Sequence, residues 1–292
     1  MLLGSLEAGG TKMVMGLLDE KGGILRSGNC ATRQPEETMQ DILAFFASER
    51  IDAMGIATFG PVDLREGSPT FGAITNTPKL AWRGYPLYDK IKEALSVPCG
   101  IDTDVNGAVL AEATFGAAKG LKNALYLTVG TGIGGGLLSE GRLVHGLIHP
   151  EWGHTLVAPH PEEPMQRGVC PYHAHCAEGY ASGPAMQSRW AAPAQELPEN
   201  HRAWDLQAYY LAQVCHNALM TVSPERILLG GGVMHQSSLY ARIRTHLTAL
   251  LGGYLSSPAL QDMDSFITAP ALYPDSGLIG GALLARQALE AA

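Results

Sequence analysis

Apolar and polar positions along the first thirty residues fall into three short runs. Leu2 to Leu6, Met13 to Leu18 and Ile24 to Asn29 read as strands, parted by Ala8-Gly9-Gly10-Thr11 and by Asp19 to Gly23. That is the pattern of an antiparallel meander. The period then changes. Across Glu36 to Arg50, Met39, Ile42, Leu43 and Phe46 make one apolar stripe at helical spacing, with Pro35 at the start where proline is tolerated. Met54 to Thr58 reads as a strand, Leu87 to Leu95 as a helix, Val97 to Asp102 as a strand and Val105 to Ala118 as a helix. The opening then recurs: strand Leu125 to Val129, turn Gly130-Thr131-Gly132, strand Ile133 to Leu138. Strand, Gly/Thr turn, strand at the start of each half predicts two related α/β domains. Residues 146–204 are rich in Pro, His and Gly and lack a period, so this stretch needs pinning. Beyond it, Asp205 to Thr221 reads as a helix, Arg226 to Leu229 as a buried strand, and Leu239 to Leu251 and Leu278 to Leu289 as helices.

Composition narrows the classes. The chain has 292 residues, 46% of them hydrophobic and 16% charged, which is globular. Its net charge of −8 lacks the basic field of a non-specific nucleic-acid binder. No apolar run is long enough for a membrane span. The opening MLLGSLEAGG has no basic stretch ahead of its apolar residues, so a cytoplasmic protein is expected. Five cysteines without an export signal suggest reduced thiols or a metal site rather than disulfides.

Several motifs carry chemistry. Each Gly/Thr turn offers close-spaced backbone N–H groups and a hydroxyl, a combination that binds phosphate oxygens. Gly130-Thr131-Gly132-Ile133-Gly134-Gly135 matches the dinucleotide fingerprint in letters, but it precedes a strand where that fingerprint opens a helix. Asp102-Thr103-Asp104-Val105-Asn106 joins a strand to a helix. A carboxylate there fits a helix cap, and it equally fits a base for phosphoryl transfer. Asp102 competes with Asp104 for the latter role. Cys170-x-x-His173-x-x-Cys176, with His154 sixteen residues before Cys170, offers two thiolates and two imidazoles, the donor set of a closed structural zinc site. His149, His160 and His175 are rival ligands. Glu151, His154, Glu178 and Asn76 are loop polar groups of the kind that bind sugar hydroxyls. Gly230-Gly231-Gly232 follows a buried strand and would let a planar ring lie against the backbone; a turn without a ligand fits as well.

Taken in order, Glu7-Ala8-Gly9-Gly10-Thr11-Lys12, Gly60-Pro61-Val62-Asp63, Asp102 to Asn106, Thr128 to Gly136, Glu151-Trp152-Gly153-His154, the Cys/His cluster and Gly230 to Val233 resemble the ROK family of sugar kinases, in its bacterial fructokinase branch. The resemblance implies an α/β fold of two related actin-like ATPase (ribonuclease H-like) domains with a cleft between them. It implies an N-terminal domain over residues 1–112, rejoined by a C-terminal helix at 276–292, and a second domain over 113–275 holding the zinc loop. It implies that Gly9, Gly10, Thr11, Lys12, Thr131 and Gly132 face ATP phosphates, and that Gly231 and Gly232 meet adenosine. Asp104 would be the catalytic base, and Gly60, Asn76, Glu151, His154 and Glu178 would hold the sugar. His154, Cys170, His173 and Cys176 would hold structural Zn²⁺, while Mg²⁺ accompanies ATP. The expected reaction carries the γ-phosphoryl of ATP to the 6-hydroxyl of D-fructose, in a homodimer with no nucleic-acid or membrane partner. A mannokinase or glucokinase is the alternative. The family's sugar-sensing repressors carry an N-terminal helix-turn-helix, for which no room is expected ahead of Glu7. Many members have Asp where Glu7 stands and a third cysteine where His173 stands.

Overall fold

A computed structural model describes residues 1–292. The chain packs as two units: residues 1–119, 143–150 and 272–292 form the first, and 120–142 with 151–271 the second. Relative to a division at 112/113 and 275/276, the first unit also takes in 113–119, 143–150 and 272–275.

In the first unit the chain runs β1 (Leu3–Ala8), β2 (Lys12–Leu18), β3 (Ile24–Ala31), α1 (Pro35–Phe46), β4 (Ala53–Thr58), α2 (Leu87–Leu95), β5 (Cys99–Thr103) and α3 (Asp104–Thr114). The sheet order is β3-β2-β1-β4-β5. The meander β1–β3 is antiparallel, whereas β4 and β5 join it in parallel. All six residues of β4 are buried, as befits a strand covered on both faces. Alternate residues therefore feed separate cores. Leu6, Met13, Met54 and Ile56 pack with Ile42, Phe46, Leu87 and Ile91 of α1 and α2. Leu3, Leu18 and Ala53 pack on the opposite face with Ala111 of α3.

The second unit runs β6 (Ala124–Val129), β7 (Ile133–Ser139), β8 (Arg142–Leu143), α4 (Ala177–Ala181), α5 (Gly183–Trp190), α6 (Ala203–Thr221), β9 (Arg226–Gly230), α7 (Ser238–Leu251), the one-turn α8 (Pro258–Gln261) and α9 (Met263–Phe266), and β10 (Ile267–Thr268). Its sheet order, β8-β7-β6-β9-β10, repeats that of the first unit strand for strand. The two Gly/Thr hairpins are thus equivalent, as the repeated sequence pattern predicts. None of the helices is long and apolar enough to cross a membrane.

The irregular 146–204 stretch is pinned partly by an ion pair that the sequence did not announce. Arg189 Nε donates to Glu163 Oε1 at 2.9 Å, with both side chains buried. Tyr210 of α6 donates to the other Glu163 oxygen at 2.8 Å, and Arg189 also donates to the Tyr180 carbonyl. The Tyr180 and Tyr210 rings stack at 4.9 Å. Both Glu163 oxygens and two of the three Arg189 nitrogens are thereby satisfied, which offsets much of the cost of taking the pair out of water.

The last helix, α10 (Ser276–Glu290), returns to the first unit and packs on α3, β1, β4 and β5. Leu278 and Leu283 complete the core beneath α3. The approach is close enough to need glycine: a methyl group on Gly55 of β4 would overlap the Gly281 carbonyl. Ser5 Oγ donates to the Leu278 carbonyl at 2.5 Å. Buried Glu112 accepts from Leu272 N, Ser276 Oγ and Ala117 N. The bond from Ala117 N takes that amide out of the helical ladder, and α3 ends at Thr114, ahead of the Ala118 that composition suggested. Gly55→Ala is expected to lower stability by about 3 kcal/mol or more, because backbone rather than a flexible side chain must move. An unchanged urea midpoint would contradict this packing.

Candidate active site

Strand register decides which turns of the first unit emerge together. Ala8, Thr58 and Thr103 form the last rung across β1, β4 and β5. Gly9, Phe59 and Asp104 therefore leave the sheet side by side at its carboxyl edge, where ligands gather in open α/β sheets. The first turn, Gly9-Gly10-Thr11, is closed by a bond from Gly9 N to the Lys12 carbonyl at 3.0 Å. A Cβ on Gly9 would stand 2.6 Å from that oxygen. Thr11 and Lys12 are exposed.

The second turn begins with Gly60. Thr75 donates to the Pro61 carbonyl through both N and Oγ1, and Val62 bridges Ile74. This brings the loop of exposed Asn76 alongside Gly60. Asp63 anchors the intervening residues, accepting from Arg65, Ser68 and Thr70, which hold its carboxyl well below the usual range.

The third turn separates the two aspartates. The helix cap is neither of them: Thr103 Oγ1 accepts from Asn106 N at 3.1 Å, and Asp104 is the first helical residue. Asp102 is buried, and its Oδ1 accepts from Thr103 N at 2.7 Å and from Asn106 Nδ2 at 2.8 Å. Its Oδ2 accepts from His145 Nε2 at 2.8 Å. Both Asp102 oxygens are thus engaged by other residues, whereas the Asp104 side chain accepts only from the adjacent Val105 N, at 2.9 Å. Burial pushes the Asp104 carboxyl up to about 6, opposed by the Val105 N–H. Glu7 of β1 is pushed up to about 7, first by burial and then by the charge of Asp104. Sequence reasoning missed His145 and saw His149 only as a rival metal ligand. His149 accepts from Val62 N at 3.3 Å, and burial holds it below the usual histidine range. No motif flags these two, because their partners Asp102 and Val62 are 43 and 87 residues away in the chain.

The second unit repeats the edge. Thr128 of β6 pairs with Gly230 of β9, so Gly130-Thr131-Gly132 and Gly231 leave their sheet together. Gly130 N donates to the Gly132 carbonyl at 2.9 Å, and Gly183 N at the start of α5 donates to the Gly130 carbonyl at 2.8 Å. Glu178 accepts from Ile133 N at 2.9 Å and so braces this turn. Gly231 has φ +91°, a conformation suited to glycine, whereas Gly232 faces open space. The Gly130 to Gly135 motif opens β7, a strand, and the dinucleotide-fingerprint reading fails on that ground.

Glu151 precedes the single helical turn Trp152–His154, and His154 N donates to the Glu151 carbonyl at 3.0 Å. This turn brings His154 to Cys170, His173 and Cys176, whose donor atoms all lie within 4.8 Å of one another. Cys170 Sγ is 3.9 Å from His154 Nδ1 and 3.7 Å from His173 Nδ1. Ligands at zinc's bond lengths stand about 3.3–3.8 Å apart in a tetrahedron, so the four residues fit that ion with little adjustment. The rival histidines are engaged elsewhere: His175 Nδ1 meets Tyr180 Oη at 2.8 Å, and His160 Nδ1 accepts from Glu162 N.

A model of the ROK family matches residues 3–288. The chain belongs to the ROK family. It is 40% identical to a fructokinase of Zymomonas mobilis, covering 98% of this chain and 97% of that one. It is 38% identical to a fructokinase of Lactococcus lactis, over 92% and 91%. The crystal structure of a ROK hexokinase from Thermus thermophilus superposes with a TM-score of 0.79 at 26% identity, covering all of both chains. The expected fold class, two related actin-like α/β domains, is the ROK fold.

The raised carboxyl of Glu7 has a thermodynamic consequence. Between pH 4.5 and about 7 the folded chain holds a proton there that the unfolded chain has released. Its ionisation therefore lowers stability as pH rises through that window. Glu7→Gln is expected to flatten this decline and to be about 1–3 kcal/mol more stable than the parent near pH 8. Denaturant titrations at pH 5 and pH 8 check it; an unchanged slope between them would remove the assignment.

Proposed function

We propose that this ROK protein is an ATP-dependent fructokinase that transfers the γ-phosphoryl of ATP to the 6-hydroxyl of D-fructose. The observation that carries the mechanism is the carboxylate at the β5–α3 turn whose only side-chain hydrogen bond is from the adjacent Val105 N–H, at 2.9 Å. Asp102 is consumed by hydrogen bonds, while Asp104, poorly solvated at a helix start, is poised to accept a proton. The fructokinases at 38% and 40% identity over nearly the whole chain support the choice of sugar.

In this reading Asp104 receives the hydrogen bond of the sugar 6-hydroxyl and takes its proton as the oxygen attacks phosphorus. Gly60, Asn76, Glu151, His154 and Glu178 are the residues that we assign to the sugar hydroxyls. The N–H groups of Gly9 and Gly10, the Thr11 hydroxyl and the Lys12 ammonium bind phosphate oxygens, as do Thr131 and Gly132. Gly231 and Gly232 give adenosine a surface without side chains. ATP enters with Mg²⁺, which when bound neutralises phosphate charge. His154, Cys170, His173 and Cys176 would hold a structural Zn²⁺, which would pin the loop carrying Glu178. A zinc-bound imidazole keeps its second nitrogen for the sugar, so His154 can serve both. A homodimer working in the cytoplasm, where ATP is made, belongs to the same proposal, and light scattering reads its mass.

Asp104→Asn is expected to lower kcat roughly 10²- to 10⁴-fold in an ADP-release assay while leaving the fold intact. In the same assay fructose should exceed mannose and glucose in kcat/KM by about tenfold or more. Turnover near the parent's in the variant removes Asp104 as base; a preference for glucose removes the sugar assignment. Protein purified without chelator should contain about one zinc per chain by atomic emission, and Cys176→Ser should lose it. Finding none in the parent would end the zinc proposal.

A further inference from the structure

The eight residues 143–150 pack with the first unit, although the chain on either side of them belongs to the second. Two histidines fasten them there. His149 accepts from the backbone of Val62, next to the Gly60 turn, and His145 donates to Asp102, two residues before Asp104. The second contact has no assigned purpose.

Asp102 is a carboxylate with only 5% of its side chain exposed. Its Oδ1 is satisfied by Thr103 N and Asn106 Nδ2, but Oδ2 has His145 alone. A buried carboxylate oxygen without a donor costs free energy, which the chain relieves by taking up a proton or by letting the turn move toward water. Either response disturbs the residues that Asp102 holds. Thr103 and Asn106 are the two that build the cap of α3, and Asp104 lies between them in the chain. In-line transfer tolerates little displacement of the group that aims the nucleophile.

We propose that His145 is a positioning residue for phosphoryl transfer: it clamps Asp102, and Asp102 fixes the strand-to-helix turn from which Asp104 projects. The inference rests on the reading of Asp104 as the base. The titratable groups that face His145 are Asp102 of β5 and His149 on its own segment; Asn106 of α3 is the uncharged neighbour. The hydrogen bond to Asp102 raises the His145 pKa above the ordinary 6.5, against the effect of burial. Charge-assisted bonds are the stronger ones, so the clamp holds best with His145 protonated. It weakens as pH rises through that raised value.

The test is steady-state kinetics of the full chain with fructose and ATP from pH 6 to 9, on the parent, His145→Ala, His145→Gln and Asp104→Asn. His145→Ala is expected to lose roughly 10- to 100-fold in kcat, with KM for ATP within about twofold of the parent. His145→Gln keeps a donor for Asp102 without titrating. It should recover most of kcat near neutrality and lose the parent's alkaline fall in kcat. If Asp104→Asn is inactive while His145→Ala keeps the parent's kcat and pH profile, the positioning role is wrong and the base stands. If Asp104→Asn remains active, the base reading falls and takes this role with it. Should His145→Ala fail to fold, His145→Gln decides alone: a retained alkaline fall overturns the proposal, and its disappearance supports it.

Discussion

In-register pairing of three parallel strands limits where the chemistry of the first unit can sit. Because Ala8, Thr58 and Thr103 share one rung, the turns that follow them issue from one edge of the sheet. Each turn then needs only the right two or three residues. Glycine lets the first approach an anion, and a cis Gly60–Pro61 bond lies in the second. The third places a carboxylate where a helix begins. Slipping β5 by one residue would turn Asp102 and Asp104 to the other face and leave Thr103 in their place. The register is held by burial: β4 has no exposed residue, and its neighbours are pressed from one side by α1 and α2 and from the other by α3 and α10.

The second unit reaches the same arrangement with different residues. Its rung of Thr128 and Gly230 sends out one glycine turn beside another. Neither turn carries an acid, which suits a surface that would otherwise repel phosphate. The acid nearby, Glu178, is turned onto the Ile133 N–H, where it braces the Thr131-Gly132 corner. The two units thus share one strand order, and the loops that leave the two sheets differ. Both edges carry a glycine turn, and the first edge adds carboxyls with raised pKa values.

The longer elements were legible in the chain, whereas α4 and α5 within the aperiodic 146–204 stretch, and the short β8, α8, α9 and β10, were not. Leu87–Leu95 is a helix over the span that its pattern gives, and the strands and long helices depart from their sequence limits by a few residues only. The departures have local causes. The helix after Pro35 ends at Phe46 rather than Arg50, since Ala47 already caps it and Glu49 N bonds to the Phe46 carbonyl. The Cys/His spacing marked its cluster, yet spacing could not choose among His173, His175, His149 and His160. That choice depended on what else each ring touches. The buried Glu163–Arg189 pair was invisible for the same reason: residues 26 apart in an aperiodic stretch leave no trace of their pairing.

What the sequence determined alone was periodicity and local chemistry: which stretches become strand or helix, where glycine is clustered, and which side chains can ligate or transfer protons. These are properties of neighbours along the chain. Tertiary structure decided which of two aspartates is free, because the answer lies with His145, 43 residues from Asp102. It also decided that the carboxyls of Glu7 and Asp104 share an electrostatic environment, since the parallel pairing of β1, β4 and β5 alone brings them within reach. Desolvation and long-range hydrogen bonding depend on what packs around a group, and a linear pattern does not contain that information.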